Sequence, residues 1–276
     1  MRLVVVGCSG SFAGPDSPAS SYLVQVPAAE AAAAGHEARD WNVVLDLGNG
    51  ALGALQRVVD PLGLDAVALS HLHPDHFVDV CGLYVYLRYH PDRGSVRTGV
   101  PSRLPVLGPS RTAERVEAAY GAEPGDGLTV ELDVRSWVAG EPVQVGPLTL
   151  EPFRVFHPVE AYGVRVTGPS TLRPGEQAVL AYTGDTDTCD GVVDLARDAD
   201  LLLSEAAFHE GRDDAVERGI HLTGRRAGEV ATAAGARRLV LTHLPAWNDP
   251  ERSRAEARDV YAGPVDVATA GAVLDL

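Results

Sequence analysis

The segment "SHLHPDHFVD", Ser70 to Asp79, sets three imidazoles and a carboxylate, His71, His73, Asp75 and His76, directly after the apolar run "DAVAL". In extended chain His71 and His73, two residues apart, face the same side. Pro74 cannot continue a hydrogen-bonded ladder and turns the chain. Asp75 and His76 then swing over the strand end, where a helix can begin. Imidazole and carboxylate together suit Zn²⁺ and other borderline divalent cations, Mn²⁺ and Fe among them. Three further side chains of the same kind stand after apolar, strand-like runs: His157 after "FRVF", Asp185 after "VLAYTG" and His243 after "RLVLT". With the first cluster they suffice for two divalent ions sharing one carboxylate. The chemistry of such a pair is hydrolysis, because a bound water ionises near pH 7 and the two ions clamp a phosphoryl oxygen. Asp75 could orient that water while holding its ion.

These groups must be carried to one place by strands whose ends share a rim. Strand-like runs recur at "RLVVVG", "SYLVQV", "NVVLDL", "DAVALS" and "PVLG", with helical patterns over Gly50–Val59 and His76–Tyr89. Hairpin pairs follow, "PVQVG" with "LTLEPFRVF" and "YGVRVTG" with "AVLAYTGD". The last third alternates helix and strand: Gly191–Arg197, "ADLLLSE", Leu222–Ala234, "RLVLTHL", Pro250–Val260, "VDVAT". Hairpins mixed with this alternation imply α/β sheets covered by helices. Residues 27–40 and 167–177 are expected loops. No internal repeat or long linker divides residues 1–276, so a single domain is expected.

Composition narrows the chemistry. The chain of 276 residues carries a formal charge of −15, and its 23 basic residues are all arginine. Lysine chemistry is excluded, and a polymeric nucleic acid is disfavoured as a partner, since it calls for a basic footprint. The opening "MRLVVVGCSG" reads as strand and turn and not as a signal peptide. No apolar stretch approaches a membrane span. Cys8, Cys81 and Cys189 form no CxxC and imply no disulfide framework. The cytoplasm is the expected location.

The motifs "HLHPDH", the later His157, "TGDT" and "LTHL" resemble those of the metallo-β-lactamase superfamily, in order and approximate spacing over nearly the whole chain. The resemblance implies a four-layer αββα fold. It differs from true β-lactamases of this fold, whose second metal lacks the final histidine of the motif and uses a cysteine. Within the superfamily the chain resembles the tRNase Z group through "LLLSEAAF", "LPVLGPSRTAERV" and "HLTGRRAGEVATAAGARRLVLTHL". That group carries a long basic arm between the third histidine and the GDT motif. Here only "TGPSTLRPGEQA" separates "AYGVRV" from "VLAYTGD". The segments "VVGCSGSFAGPDSPASSYLV", "LRYHP" and "GDTDTCDGVVDLA" look most like an arm-less actinobacterial branch described as cyclic-nucleotide (cAMP) phosphodiesterases.

Carried over residue by residue, the resemblance implies His71, His73 and His157 on one metal, and Asp75, His76 and His243 on the other, with Asp185 bridging. His221 of "HLT" falls at the position of the family's proton donor. Glu205 of "SEA" matches the acidic residue that orients it. The expected activity is hydrolysis of a small phosphodiester, a 3′,5′-cyclic nucleotide to the 5′-monophosphate. The alternatives are a tRNase Z-type 3′-endoribonuclease and a thioester hydrolase of the same fold. A homodimer is expected from the family alone.

Other residues have weaker expectations. The turn Gly7–Gly14 offers backbone N–H groups to a phosphate. Thr223 is expected to cap a helix, and Arg225 and Arg226 to lie on its solvated face. Cys8 and Cys81 are expected to pack as small apolar residues, and His36 to be solvated. His90 and His209 have no assigned role.

Overall fold

Strands buried on both faces read as near-continuous apolar runs, and the central strands of both sheets are largely such runs, as in "RLVVVG" and "LVLT". The computed structural model describes residues 1–125 and 128–276. Its first sheet uses β1 (Arg2–Gly7), β2 (Ser21–Val26), β3 (Trp41–Leu45), β4 (Ala66–Ala68), β5 (Leu104–Gly108) and β6 (Leu132–Ser136). The second uses β7 (Val143–Val145), β8 (Leu148–Arg154), β9 (Tyr162–Pro169), β10 (Gln177–Tyr182), β11 (Leu201–Glu205), β12 (Leu239–Thr242) and β13 (Val265–Val267). The last strand, β14 (Val273–Asp275), returns to pair antiparallel with β1. The strand orders are β14-β1-β2-β3-β4-β5-β6 and β13-β12-β11-β10-β9-β8-β7.

The helices are α1 (Ala28–Ala33), α2 (Ala51–Leu55), α3 (Pro74–Phe77), α4 (Val80–Tyr89), α5 (Ser95–Thr98) and α6 (Thr112–Tyr120) in the first half, α7 (Asp190–Ala196), α8 (Gly224–Ala234) and α9 (Pro250–Arg258) in the second. Of these, α2, α4 and α6 cover one outer face and α7, α8 and α9 the other, while Ala31 of α1 joins the core between the sheets. Alternate residues sort between layers. Leu3 and Val5 of β1 face the second sheet, in one core with Val24, Leu45, Leu180 and Leu203. Val4 and Val6 face outward, in a core with Leu55, Leu83 and Val116 of the helices. On the far side Leu202 and Leu241 meet Leu195, Val230 and Ala257. Three apolar cores between four layers give the αββα arrangement. Each fully buried large side chain contributes about 1.5–3 kcal/mol. Tyr22 also links the sheets, its hydroxyl 2.7 Å from Thr242 Oγ1 and its ring 5.0 Å from that of Tyr182.

Several expected boundaries move. The 27–40 segment holds α1, because Pro27 precedes an alanine-rich run of strong helix formers. The helix expected over His76–Tyr89 is two, α3 and α4, because the Asp79 N–H bonds Leu47 O and its carboxylate accepts from Leu52 N at 2.9 Å. The helix expected over Gly50–Val59 shortens to α2. Strand β9 runs on to Pro169, so the connection to β10 is only residues 170–176. That connection is pinned by Thr171 N and Ser170 Oγ, which donate to Leu276 O at 2.6 and 2.9 Å. No helix among the described residues is long and apolar enough to cross a membrane.

Candidate metal centre

The rim where β3, β4, β8, β10, β11 and β12 end collects the seven residues singled out by type and spacing. They fall into two groups. His71, His73, His157 and Asp185 make one; Asp75, His76, His243 and Asp185 make the other. In the second group His76 Nε2 lies 3.2 Å from His243 Nε2, 3.4 Å from Asp75 Oδ2 and 3.3 Å from Asp185 Oδ1. His243 Nε2 lies 3.2 Å from Asp75 Oδ2 and 3.4 Å from Asp185 Oδ1. A tetrahedral ion with ligands at about 2.0–2.1 Å has ligand–ligand edges of roughly 3.3 Å. In the first group His73 Nδ1 is 3.0 Å from His71 Nε2 and 3.3 Å from His157 Nε2, and His71 Nε2 is 3.6 Å from Asp185 Oδ2. Asp185 thus turns one oxygen to each group. Its Oδ1 is buried and faces only the ring nitrogens of His76 and His243, neither in hydrogen-bond geometry, a position that a cation would satisfy. The donor set fits two divalent ions.

Outer partners aim the rings. Asp46, fully buried just past β3, accepts from His76 Nδ1, Ser70 N and Ser70 Oγ, each at 2.7 Å, and from the Tyr182 hydroxyl at 2.6 Å. This leaves His76 Nε2 to face the centre. His157 Nδ1 donates to Ile220 O at 2.9 Å, which frees Nε2 in the same way. Asp46 was not singled out in the sequence; its signal there is an acidic residue closing the apolar strand "NVVLDL". Two glycines let other backbone press on the ligand loops. A Cβ on Gly10 would stand 2.2 Å from His243 O, and one on Gly48 1.9 Å from Asp75 O.

Burial and charge set the protonation states in the metal-free protein. Burial, aided by the neighbouring histidines, holds His71 well below the usual imidazole range. Burial also lowers His73 and His157. For His76 burial opposes charge, yet the carboxylates of Asp185 and Asp46 outweigh it and raise the ring well above its ordinary value. Burial would raise Asp75, but hydrogen bonds from His243 and His76 prevail and keep it ionised. Asp185 is likewise held low, against burial, by His243, His76 and His71. Neutral imidazoles and ionised carboxylates are the forms that ligate metal, so His76 would give up a proton on binding one.

His221 stands beside the centre with Nδ1 3.0 Å from Glu205 Oε1 and 3.9 Å from Asp185 Oδ2. Burial favours its neutral form, but the Glu205 carboxylate prevails and pushes the ring up to about 9. Glu205 also accepts from Thr186 N, Leu222 N and Ala207 N at 3.0, 3.2 and 3.0 Å. Those bonds occupy both its oxygens, so Glu205 is a poor ligand although it clusters with His221 and His243.

Weaker expectations divide. Thr223 caps α8, accepting from Arg226 N at 3.1 Å, and Arg225 is exposed beside Glu229. Arg226 is not on the solvated face: it turns inward to Asp187 at 3.4 Å and Glu210 at 3.7 Å. Buried Asp187 also accepts from Arg218 and from Gly219 N, tying down the chain that leads to His221. The Gly7–Gly14 turn spends the N–H groups of Ser9, Gly10, Phe12 and Gly14 on backbone carbonyls. Its Ser11 N–H points at the centre, 3.3 Å from His243 Nε2. The turn packs on His243, because four of its N–H groups are spent on backbone carbonyls, that of Gly10 on Leu244 O. Cys8 is buried, Cys81 half-buried, and His36 exposed. His209 is buried with neither ring nitrogen in a hydrogen bond, Nδ1 standing 3.9 Å from Glu256 Oε1.

Two cavities open on this rim. One of about 520 Å³ is lined by His73, Leu72, Pro109, Arg111, Arg115 and Glu160 among others. Another of about 340 Å³ is lined by Ser11, Phe208, Arg212, His221 and Trp247 among others.

Comparison with known proteins identifies the family. The family described as Beta-lactamase superfamily domain matches residues 41–244. The uncharacterized protein ML1173 of Mycobacterium leprae is 43% identical over 279 residues, covering 100% of this chain and 89% of its own. The probable metallo-hydrolase YhfI of Bacillus subtilis is 30% identical over 273 residues, 99% of each chain. Its crystal structure superposes with a TM-score of 0.81 over 100% of this chain and 99% of that one, at 28% identity. A ribonuclease Z of Streptomyces coelicolor is 32% identical over 268 residues, covering 82% of this chain and 85% of its own. The chain belongs to the β-lactamase superfamily, as a metal-dependent hydrolase with the metallo-β-lactamase fold.

Proposed function

We propose that this protein hydrolyses a small phosphodiester, a 3′,5′-cyclic nucleotide (cAMP) to its 5′-monophosphate. The observation that carries the reading is the pair of four-residue groups sharing Asp185, with His221 held by Glu205 beside them. The residues of the two groups would hold two divalent ions, Zn²⁺ by donor type with Mn²⁺ or Fe as alternatives. Such ions supply an ionised water at neutral pH and neutralise charge on the phosphoryl oxygens. The protein's own contribution is the proton. Water adds across the P–O3′ bond, its oxygen to phosphorus and a proton to O3′. With Nδ1 bonded to Glu205, His221 offers Nε2 as the donor to the departing oxygen. Asp75, while holding its ion, would orient the attacking water.

The ribonuclease Z name of one relative supports phosphodiester chemistry. Against a tRNA substrate stand the pinned 170–176 connection, where a tRNA-gripping arm would be expected, and the charge of −15. We place the reaction in the cytoplasm, consistent with three unpaired cysteines. The test is to assay the metal-loaded protein side by side on cAMP, a tRNA precursor and an acyl-glutathione. Turnover of cAMP is expected. Cleavage of the tRNA precursor without cyclic-nucleotide turnover would reverse the reading in favour of the endonuclease, and thioester turnover alone would replace both.

A further inference from the structure

Trp247 is 67% exposed and Phe12 37% exposed. Their rings lie against each other at 4.9 Å between centroids, tilted by 44°. Two large rings left together in water at a polar rim mark a binding surface. Trp247 lines the same small cavity as His221, and Phe12 follows Ser11, which lines it too.

Both rings are carried by loops that also hold the centre. Trp247 follows His243 on one turn. Phe12 sits on the turn whose Ser11 N–H faces His243 and whose Gly10 packs on its carbonyl. Across the cavity, Arg212 Nη1 donates to Asn248 Oδ1 at 2.7 Å, and Asn248 Nδ2 to Ala207 O at 2.8 Å. These bonds clamp the loop after β11 to the Trp247 turn. A group stacked on the rings is therefore held in register with the proton donor.

We propose that Phe12 and Trp247 form a shelf on which the nucleobase of the substrate stacks; this rests on the phosphodiester reading. The volume suits a base, not a macromolecule, since ligand pockets begin near about 300 Å³ and this one measures about 340 Å³. Every base offers a π-face to such a shelf. Reading the base edge would need free donors or acceptors, and here the Arg212 guanidinium is engaged by Asn248 and Asp213, while the Asp213 carboxylate accepts from Arg212 and His209 N. The shelf therefore takes a base by its face, with little discrimination between adenine and guanine.

The test uses metal-loaded protein and calorimetric binding of adenosine 5′-monophosphate, guanosine 5′-monophosphate and ribose 5-phosphate. Base stacking makes both nucleotides bind about 5- to 100-fold tighter than the base-free phosphate. W247A should lose that preference while keeping its affinity for ribose 5-phosphate; W247F should retain part of it. Because Trp247 is exposed, the variant folds, which circular dichroism checks. Equal binding of nucleotide and ribose phosphate by the wild type, or a preference that survives W247A, overturns the shelf and leaves the phosphodiester reading standing. A change of sedimentation in W247A with unchanged base preference makes the patch an interface between copies and also overturns it. Failure of the wild type to bind any of the three phosphates overturns the phosphodiester reading, and the shelf with it.

Discussion

The carboxylate of Asp46 lies 2.7 Å from Nδ1 of His76, across a separation of thirty residues, and is fully buried. It fixes which imidazole nitrogen faces the metal centre, and it anchors Ser70 and Tyr182 around the same point. The relationship makes Asp46 a positioning residue for one half of the site.

Asp46→Ala should therefore weaken metal binding by about 10–100-fold, the usual worth of an outer partner. It should also cost roughly 3–5 kcal/mol of stability, because a buried charged network loses its acceptor. Chelator competition and urea unfolding measure the two effects. Wild-type affinity for two ions in this variant would remove Asp46 from the site.

Asp185 presents separate oxygens to the two groups, and its Oδ1 has no other partner. Asp185→Ala should lose metal from both groups together with activity. Elemental analysis decides the matter: full occupancy of two ions would rule out a shared ligand.

His221→Ala should keep both metals yet lower turnover by about 10²–10⁴, the range of a positioned general acid. The loss should shrink for a nitrophenyl ester, whose leaving group needs no proton. Glu205→Gln should show the same leaving-group pattern with a smaller loss, since Glu205 acts through His221. Equal losses on activated and unactivated esters would assign His221 to binding instead.

In chelated protein the raised His221 ring should make stability depend on pH. Burial disfavours its charge, Glu205 overcomes this, and the folded value rises to about 9, against about 6.5 in the unfolded chain. The folded state then holds the proton more tightly, so the stabilisation is complete below about pH 6.5. It declines as pH rises and is gone above about pH 9. The total is on the order of 3 kcal/mol. Urea unfolding across this window should lose that slope in His221→Ala, and a nitrogen-15 titration should find the ring shifted up. An unshifted ring in chelated protein would mean that Glu205 does not hold it.

What the linear sequence determined is local chemistry. Four ligand-type residues within "HLHPDH" declare themselves because their spacing around Pro74 dictates which way they turn. Lone histidines and aspartates after apolar runs, such as His157, Asp185 and His243, are legible because a strand end is a predictable place. The Thr223 cap is legible for the same reason, its geometry depending on residues three apart.

What only the tertiary structure decided is contact between distant segments. Asp46 becomes a partner of His76 when β3 and β4 pair in parallel and bring their ends together. Arg226 turns inward because buried Asp187 waits beside it. The helix beginning at Pro74 breaks before α4 because Asp79 is drawn to Leu47 and Leu52. Phe12 and Trp247 meet because the ends of β1 and β12 pass over one centre, Ser9 bridging to Leu244. In each case the energy comes from groups far apart in sequence, which no local spacing encodes, and is realised only once the two sheets have packed.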